Sequence, residues 1–189
     1  PRHPSGAWAS HWLPTPNQVT SVDPSVQSFA TALPSLALLP EKGVARALGR
    51  TISRAGTQAL QYGPPDGLPD LRRQIALRLA NIGSPVAPDD VLLTEGSGQA
   101  IHFVAEALID PGDVVIVDHF VYGGTLWSLR RFQSDVRGVV SDADGMLPDA
   151  LDETIRDAIS EGRRPKLLYL IPTFQNPQAW TMPIERRRE

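Results

Sequence analysis

The chain has 189 residues, a formal net charge of -3 and a pI near 5.8, with 41% hydrophobic and 21% charged residues, the balance of an ordinary globular protein. Such a charge excludes a strong nucleic-acid footprint, which needs clustered positive charge, and the one basic run, Arg186-Arg187-Arg188, reads as a solvated helix face. Cysteine is absent, excluding disulfides and thiolate chemistry and fitting a reducing cytoplasm, and no apolar run approaches the ~20 residues of a membrane span.

The chain opens at Pro1 without the charged-then-apolar order of a secretory signal; an upstream piece removed, or a fragment, is expected. Residues 1–40 hold Pro1, Pro4, Pro14, Pro16, Pro24, Pro34 and Pro40 with Trp8 and Trp12, the composition of an extended arm or linker. Glu41 to Ala55 reads as a helix with Val44, Leu48 and Ile52 on one face. After the turn-rich Tyr62-Gly63-Pro64-Pro65-Asp66-Gly67, Leu68 to Ile82 reads as a second helix. Its face is Leu71, Ile75 and Leu79, and Gly83 is its C-cap. Residues 41–83 thus form a helical segment, and from 84 onward short apolar runs alternate with helical patterns.

Strands are expected at Val91–Thr94, Val114–Val117, Val136–Val140 and Lys166–Ile171. Helices are expected at Gly98–Ile109, Gly124–Phe132 and Pro148–Ile159, and Pro172 to Glu189 is a loop entering a further helix. Strand-helix-strand repetition at this spacing implies an α/β fold, a mostly parallel sheet with helices on both faces. An unpaired last strand would be a liability, which again suggests truncation.

Three segments could carry chemistry. Thr94-Glu95-Gly96-Ser97-Gly98-Gln99-Ala100 lies between a strand and a helix, where small residues let N–H groups approach an anion. It matches neither the dinucleotide G-x-G-x-x-G spacing nor a P-loop, and tight packing explains it equally well. Tyr122-Gly123-Gly124 follows a strand, at the edge where open α/β sheets bind ligands; a rim aromatic is the plain alternative. Asn176-Pro177 also follows a strand end and is a common turn. His3, His11, His102 and His119 lack metal-ligand spacing, and Asp142 and Asp144 read as turn residues before Gly145.

In combination, these stretches resemble the fold type I, class I/II aminotransferases that use pyridoxal 5'-phosphate (PLP), and most closely the 2-aminoadipate and aromatic aminotransferase subgroup. The matching pieces are Ser28-Phe29-Ala30 with Leu33-Pro34, Ala59-Leu60-Gln61-Tyr62-Gly63-Pro64 with Gly67, Leu71 and Arg72, and Thr94 to Ala100. They continue with Asp110-Pro111-Gly112-Asp113, Tyr122, Asp144-Gly145-Met146, and Pro165 to Pro172 leading into Phe174-Gln175-Asn176-Pro177. The likeness spans about residues 28–189. Beyond the Pro-rich arm or linker over 1–40, it implies a small-domain or interface segment over 41–83 and the amino-terminal part of the PLP-binding large domain over 84–189.

The resemblance also implies roles. Ser97 and Gly98 would hold the cofactor phosphate through backbone N–H groups and the serine hydroxyl. Tyr122 would stack on the pyridine ring, and Asn176 would hydrogen-bond the ring's phenolic oxygen. Tyr62 would reach the partner subunit's phosphate in a homodimer, and the substrates would be an amino acid and a 2-oxo acid. The sequence departs from the family pattern at Gly98, usually Gln, and at Thr31-Ala32, usually Gly-Gly. It departs again at His119-Phe120-Val121, often Ala-Pro-Thr, and at Gln178-Ala179, usually Thr-Gly. If position 179 has a positive φ, alanine there costs ~1 kcal/mol or more.

The family's Schiff-base lysine, pyridine-nitrogen aspartate and carboxylate-binding arginine all follow Asn176. The lysines present, Lys42 and Lys166, stand elsewhere. The catalytic lysine is therefore expected beyond Glu189, and this segment alone is not expected to transaminate. A rival reading is the aminotransferase-like effector domain of a MocR-type transcription regulator, whose Pro-rich linker residues 1–40 could resemble. An inactive remnant is a third.

Overall fold

The computed structural model describes residues 34–189; Thr31-Ala32 and most of the expected arm lie outside them. The described residues form two compact units, one running up to Leu93 and one spanning Thr94–Glu189.

The first unit is built on helices α1 (Glu41–Ala55) and α2 (Pro69–Asn81), with 3-10 turns at Leu36–Leu38, Gly56–Leu60 and Pro88–Asp90. Helix α1 has the expected bounds and apolar face, yet Val44, Leu48 and Ile52 are 53%, 58% and 48% exposed. Helix α2 starts with Pro69 at its first position, where the missing N–H costs nothing. It ends at Gly83, whose φ of 84° supplies the left-handed turn. There Ser84 N–H donates to the Leu79 carbonyl (2.9 Å) and Gly83 N–H to that of Ala80 (3.1 Å), which together close a Schellman motif.

The inward face of α2 is shifted from expectation. Arg72 and Ala76 are its buried residues, while Leu71 is 48% exposed. The cause is an ion-pair tie. Arg72 Nε donates to the Pro88 carbonyl (2.9 Å), Nη2 to Asp89 (3.0 Å) and Nη1 to the Asp66 carboxylate. One guanidinium thereby joins the 64–67 turn, α2 and the 88–90 turn. The strand expected at Val91–Thr94 does not form. Its one bond to a distant segment runs from Leu93 N–H to the Asp66 carbonyl (3.1 Å). A short apolar run needs a neighbouring edge to become a strand, and none of the described residues offers one.

The second unit contains α3 (Ser97–Leu108), β1 (Val114–Asp118), α4 (Gly123–Arg131), β2 (Asp135–Val139), β3 (Ser141–Asp142), β4 (Gly145–Met146), α5 (Pro148–Ser160), β5 (Pro165–Tyr169) and α6 (Ile184–Arg188). Strands β2, β1 and β5 form a parallel sheet in that order, with β1 central, pairing Val114 with Asp135 and with Pro165. Strands β3 and β4 make a small antiparallel hairpin through the turn at Asp144, a pairing absent from the expected elements. Every residue of β1 is buried. Val115 and Val117 pack with Ala105 and Ile109 near the end of α3 and with Leu129 of α4; Val114 and Ile116 pack on the other face with Ala158 of α5, Met146 and Met182. Full burial of such a side chain contributes roughly 1.5–3 kcal/mol. The steps β1-α4-β2 and β2-α5-β5 cross the sheet in opposite directions, so a common hand puts α4 and α5 on opposite faces. The fold is therefore the expected α/β layering, with helices on both sides of a parallel sheet.

Beyond β5 the chain makes a closed loop. Met182 N–H donates to the Pro172 carbonyl (2.9 Å), and Gln175 N–H to that of Trp180 (2.9 Å). Within this loop Phe174 and Ala179 have φ of 50° and 62°, a left-handed conformation unfavourable for residues with a Cβ. The glycine-like conformation anticipated at position 179 is present, occupied by an exposed alanine.

Two outcomes follow. Replacing Arg72→Met removes the bond to the Pro88 carbonyl and the ties to two solvated carboxylates and should lower stability by roughly 1–2 kcal/mol, read by denaturant unfolding. Ala179→Gly should raise stability by about 1 kcal/mol in the same assay; an unchanged or lowered midpoint would contradict the strain at this position.

Candidate active site

Strand β2 lies on one side of β1 and β5 on the other, and the carboxyl ends of such parallel strands are where open α/β sheets bind ligands. Three segments reach this edge. The loop after β1 carries His119-Phe120-Val121-Tyr122, and the loop after β5 carries Phe174-Gln175-Asn176. The third is the start of α3. This helix returns into β1 through a tight turn, where Asp113 N–H donates to the Asp110 carbonyl (3.0 Å). Helix and strand therefore run in opposite directions. Twelve helical residues span about 18 Å and five strand residues about 17 Å, so α3 starts toward the edge at which β1 ends.

The first turn of α3 is open. Its N-cap, Gly96, has no side chain to cap it, and the first helical backbone bond is Ala100 N–H to the Gly96 carbonyl (3.4 Å). Among the described residues, the N–H groups of Ser97, Gly98 and Gln99 have no acceptor. Both Ser97 and Gly98 are exposed, and the space where a Gly98 Cβ would stand is empty to 4 Å. Gln99 folds back to accept from Glu95 N–H (2.7 Å), which steadies the turn without covering it. Free donors, a positive helix end and open space together make an anion cradle.

Tyr122 is half exposed at 50% and forms the N-cap of α4. Its ring lies against Gly124, where an added Cβ would come within 2.4 Å of Cε1; only a glycine permits that ring position. The preceding residues, which replace the common Ala-Pro-Thr, have their own structural use. His119 N–H extends the β1–β2 ladder to the Val139 carbonyl (2.9 Å), and the His119 and Phe120 rings meet edge-on at 4.8 Å.

Asn176 is half-buried, and no described residue hydrogen-bonds its side chain. Its neighbour Gln175 is 2% exposed, and Gln175 Nε2 donates to the Phe120 carbonyl (2.6 Å). The loops bearing Tyr122 and Asn176 are thus fastened together at this edge. Asp118, at the tip of β1, is also buried. Burial pushes its carboxyl above the ordinary carboxylate range, against a lowering hydrogen bond from Ser141 Oγ (3.0 Å). Ser97, Gly98, Tyr122 and Asn176 therefore share one sheet edge. Tyr62 belongs to the other unit and is fully exposed. Lys166 stands at the opposite, amino edge, paired with Asp113 (3.4 Å). Sequence reading gave no role to Gln175 or Asp118 and took Gly124 only as part of Tyr122-Gly123-Gly124; an isolated glutamine before Asn-Pro has no periodicity to mark it.

Comparison with known proteins gives this edge a lineage. Residues 35–186 match the family described as aminotransferase class I and II. A 2-aminoadipate transaminase of Thermus thermophilus is 34% identical over 165 residues, 87% of this chain and 39% of that protein. A kynurenine aminotransferase of Pyrococcus horikoshii, solved with PMP, has a TM-score of 0.78 at 30% identity, covering 84% of this chain and 39% of that one. An HTH-type transcriptional regulator of Escherichia coli is 29% identical over 170 residues, 89% of this chain and 35% of its own length. The chain spans about two fifths of the length of the curated aminotransferases it matches. A match across both units, with the same α/β layering, carries the conclusion: this chain belongs to the class I and II aminotransferases.

Proposed function

We propose that this chain supplies the amino-terminal part of the PLP-binding large domain of an aminotransferase exchanging an amino group between an amino acid and a 2-oxo acid. The observation that carries the reading is the edge itself: an uncapped helix start beside the fastened loops bearing Tyr122 and Asn176. Its donor set fits PLP, which presents a phosphate, a flat ring and a phenolic oxygen. When bound, the cofactor supplies an electron sink for bonds at the amino acid's α-carbon.

The chain's own residues do the holding. The Ser97 and Gly98 N–H groups and the Ser97 hydroxyl take the phosphate at the positive end of α3. The absence of a side chain at Gly98 leaves room for it. Tyr122 covers one ring face, and the Asn176 amide donates to the phenolic oxygen, favouring its negative form. Tyr62, fully exposed, reaches the phosphate of a partner subunit, so the working form is a homodimer. The absence of cysteine fits a reducing cytoplasm, and no helix of the described residues is long and apolar enough to cross a membrane.

A second reading is favoured by the likeness to the HTH-type regulator: the same edge, holding the same cofactor, could serve as the effector domain of a MocR-type regulator. PLP binding with amino-acid turnover by the intact native protein supports the enzyme, whereas PLP and DNA binding without turnover supports the regulator.

The test of the site is PLP titration of the intact native protein and its variants. Ser97→Ala, Tyr122→Ala and Asn176→Ala should each weaken PLP binding about tenfold, as expected for a lost charged hydrogen bond or stacking contact. Unchanged PLP affinity in all three would remove the assignment of this edge.

A further inference from the structure

We propose that Gln175 is a positioning residue that holds Tyr122 and Asn176 in register around one cofactor ring. The inference rests on the cofactor reading above and extends it to a residue that touches no cofactor atom.

The side chain of Gln175 is buried and uses both ends of its amide. Nε2 donates to the Phe120 carbonyl (2.6 Å), and Oε1 accepts from Gln178 N–H (2.7 Å). Its main chain is also engaged: the N–H donates to Trp180, and the carbonyl accepts from Ala179 N–H (2.6 Å). Phe120 stands two residues before Tyr122, and Asn176 directly follows Gln175. Among the described residues, no other hydrogen bond joins the 119–122 loop to the 173–182 loop. One amide therefore sets the distance between a residue that covers a ring face and a residue that meets the ring's edge.

The chemistry of the position selects glutamine. A donor must face Phe120 and an acceptor must face Gln178. A carboxylate keeps the second bond and sets a negative oxygen against the Phe120 carbonyl. A hydrocarbon leaves both backbone groups without these partners. The tie also opposes local strain, because Phe174 and Ala179 on either side of it hold φ of 50° and 62°. Left-handed residues persist where surrounding bonds over-determine them. Supporting residues of this kind matter because small misplacements of contact groups are costly.

The experiment compares the intact native protein with Gln175→Glu, Gln175→Met and Asn176→Ala. It measures PLP affinity, the pH at which the bound cofactor's visible absorption changes, and thermal stability. Both Gln175 variants should lose about tenfold in PLP affinity. Their absorption change should move to higher pH, in the direction of Asn176→Ala, because a displaced amide no longer favours the negative phenolic oxygen. Gln175→Met buries no charge and gives the readout if Gln175→Glu does not fold. Lowered thermal stability with unchanged affinity and absorption in the Gln175 variants would overturn the positioning role. If Asn176→Ala also leaves both unchanged, the cofactor reading of this edge fails instead.

Discussion

Strand β1 is shut off from water on both faces, and the rest of the second unit follows from that burial. Its four aliphatic residues can be covered only by placing α3 and α4 on one side and α5 with Met146 and Met182 on the other. A parallel sheet built this way has no free face for a ligand. What stays open is the carboxyl edge, where strands end and helices begin. The proposed cofactor site lies at that edge.

That edge is held in two different ways. The α3 start is left unsatisfied, with three N–H groups that have no acceptor among the described residues and no side-chain cap. The loops after β1 and β5 are instead closely tied, through Gln175 to Phe120 and through the paired bonds that close residues 172–182. On the proposed reading, free donors suit a ligand's phosphate, and tied loops suit groups that meet one flat ring from different sides. The strain at Ala179 sits inside the tied loop, as expected where surrounding bonds over-determine the backbone.

The first unit follows a different logic. Helix α1 has the spacing of a packed helix, yet its stripe is exposed within the described residues. Helix α2 looks as if it should bury Leu71, and instead it buries Arg72 because three acceptors converge on that guanidinium. Hydrophobic periodicity reports which residues share a face. It does not report whether anything covers that face, nor whether a charged group has enough partners to go inside.

Read alone, the sequence determined the alternation of elements, the strand at the Val114–Val117 run and the layered α/β plan, because apolar period and turn chemistry are local properties; the central place of that strand came from the fold. It also determined that Ser97, Tyr122 and Asn176 each follow a turn or strand end, and that alanine at 179 would be strained if φ were positive. Tertiary structure decided what depended on distant partners. Val91–Thr94 found no edge to pair with, Ser141–Asp142 and Gly145–Met146 paired into an unanticipated hairpin, and Arg72 turned inward. It also decided that Gln175, undistinguished in sequence, fastens two loops 55 residues apart. Hydrogen bonds between segments so far separated leave no periodic trace along the chain; only the fold that juxtaposes them makes them visible.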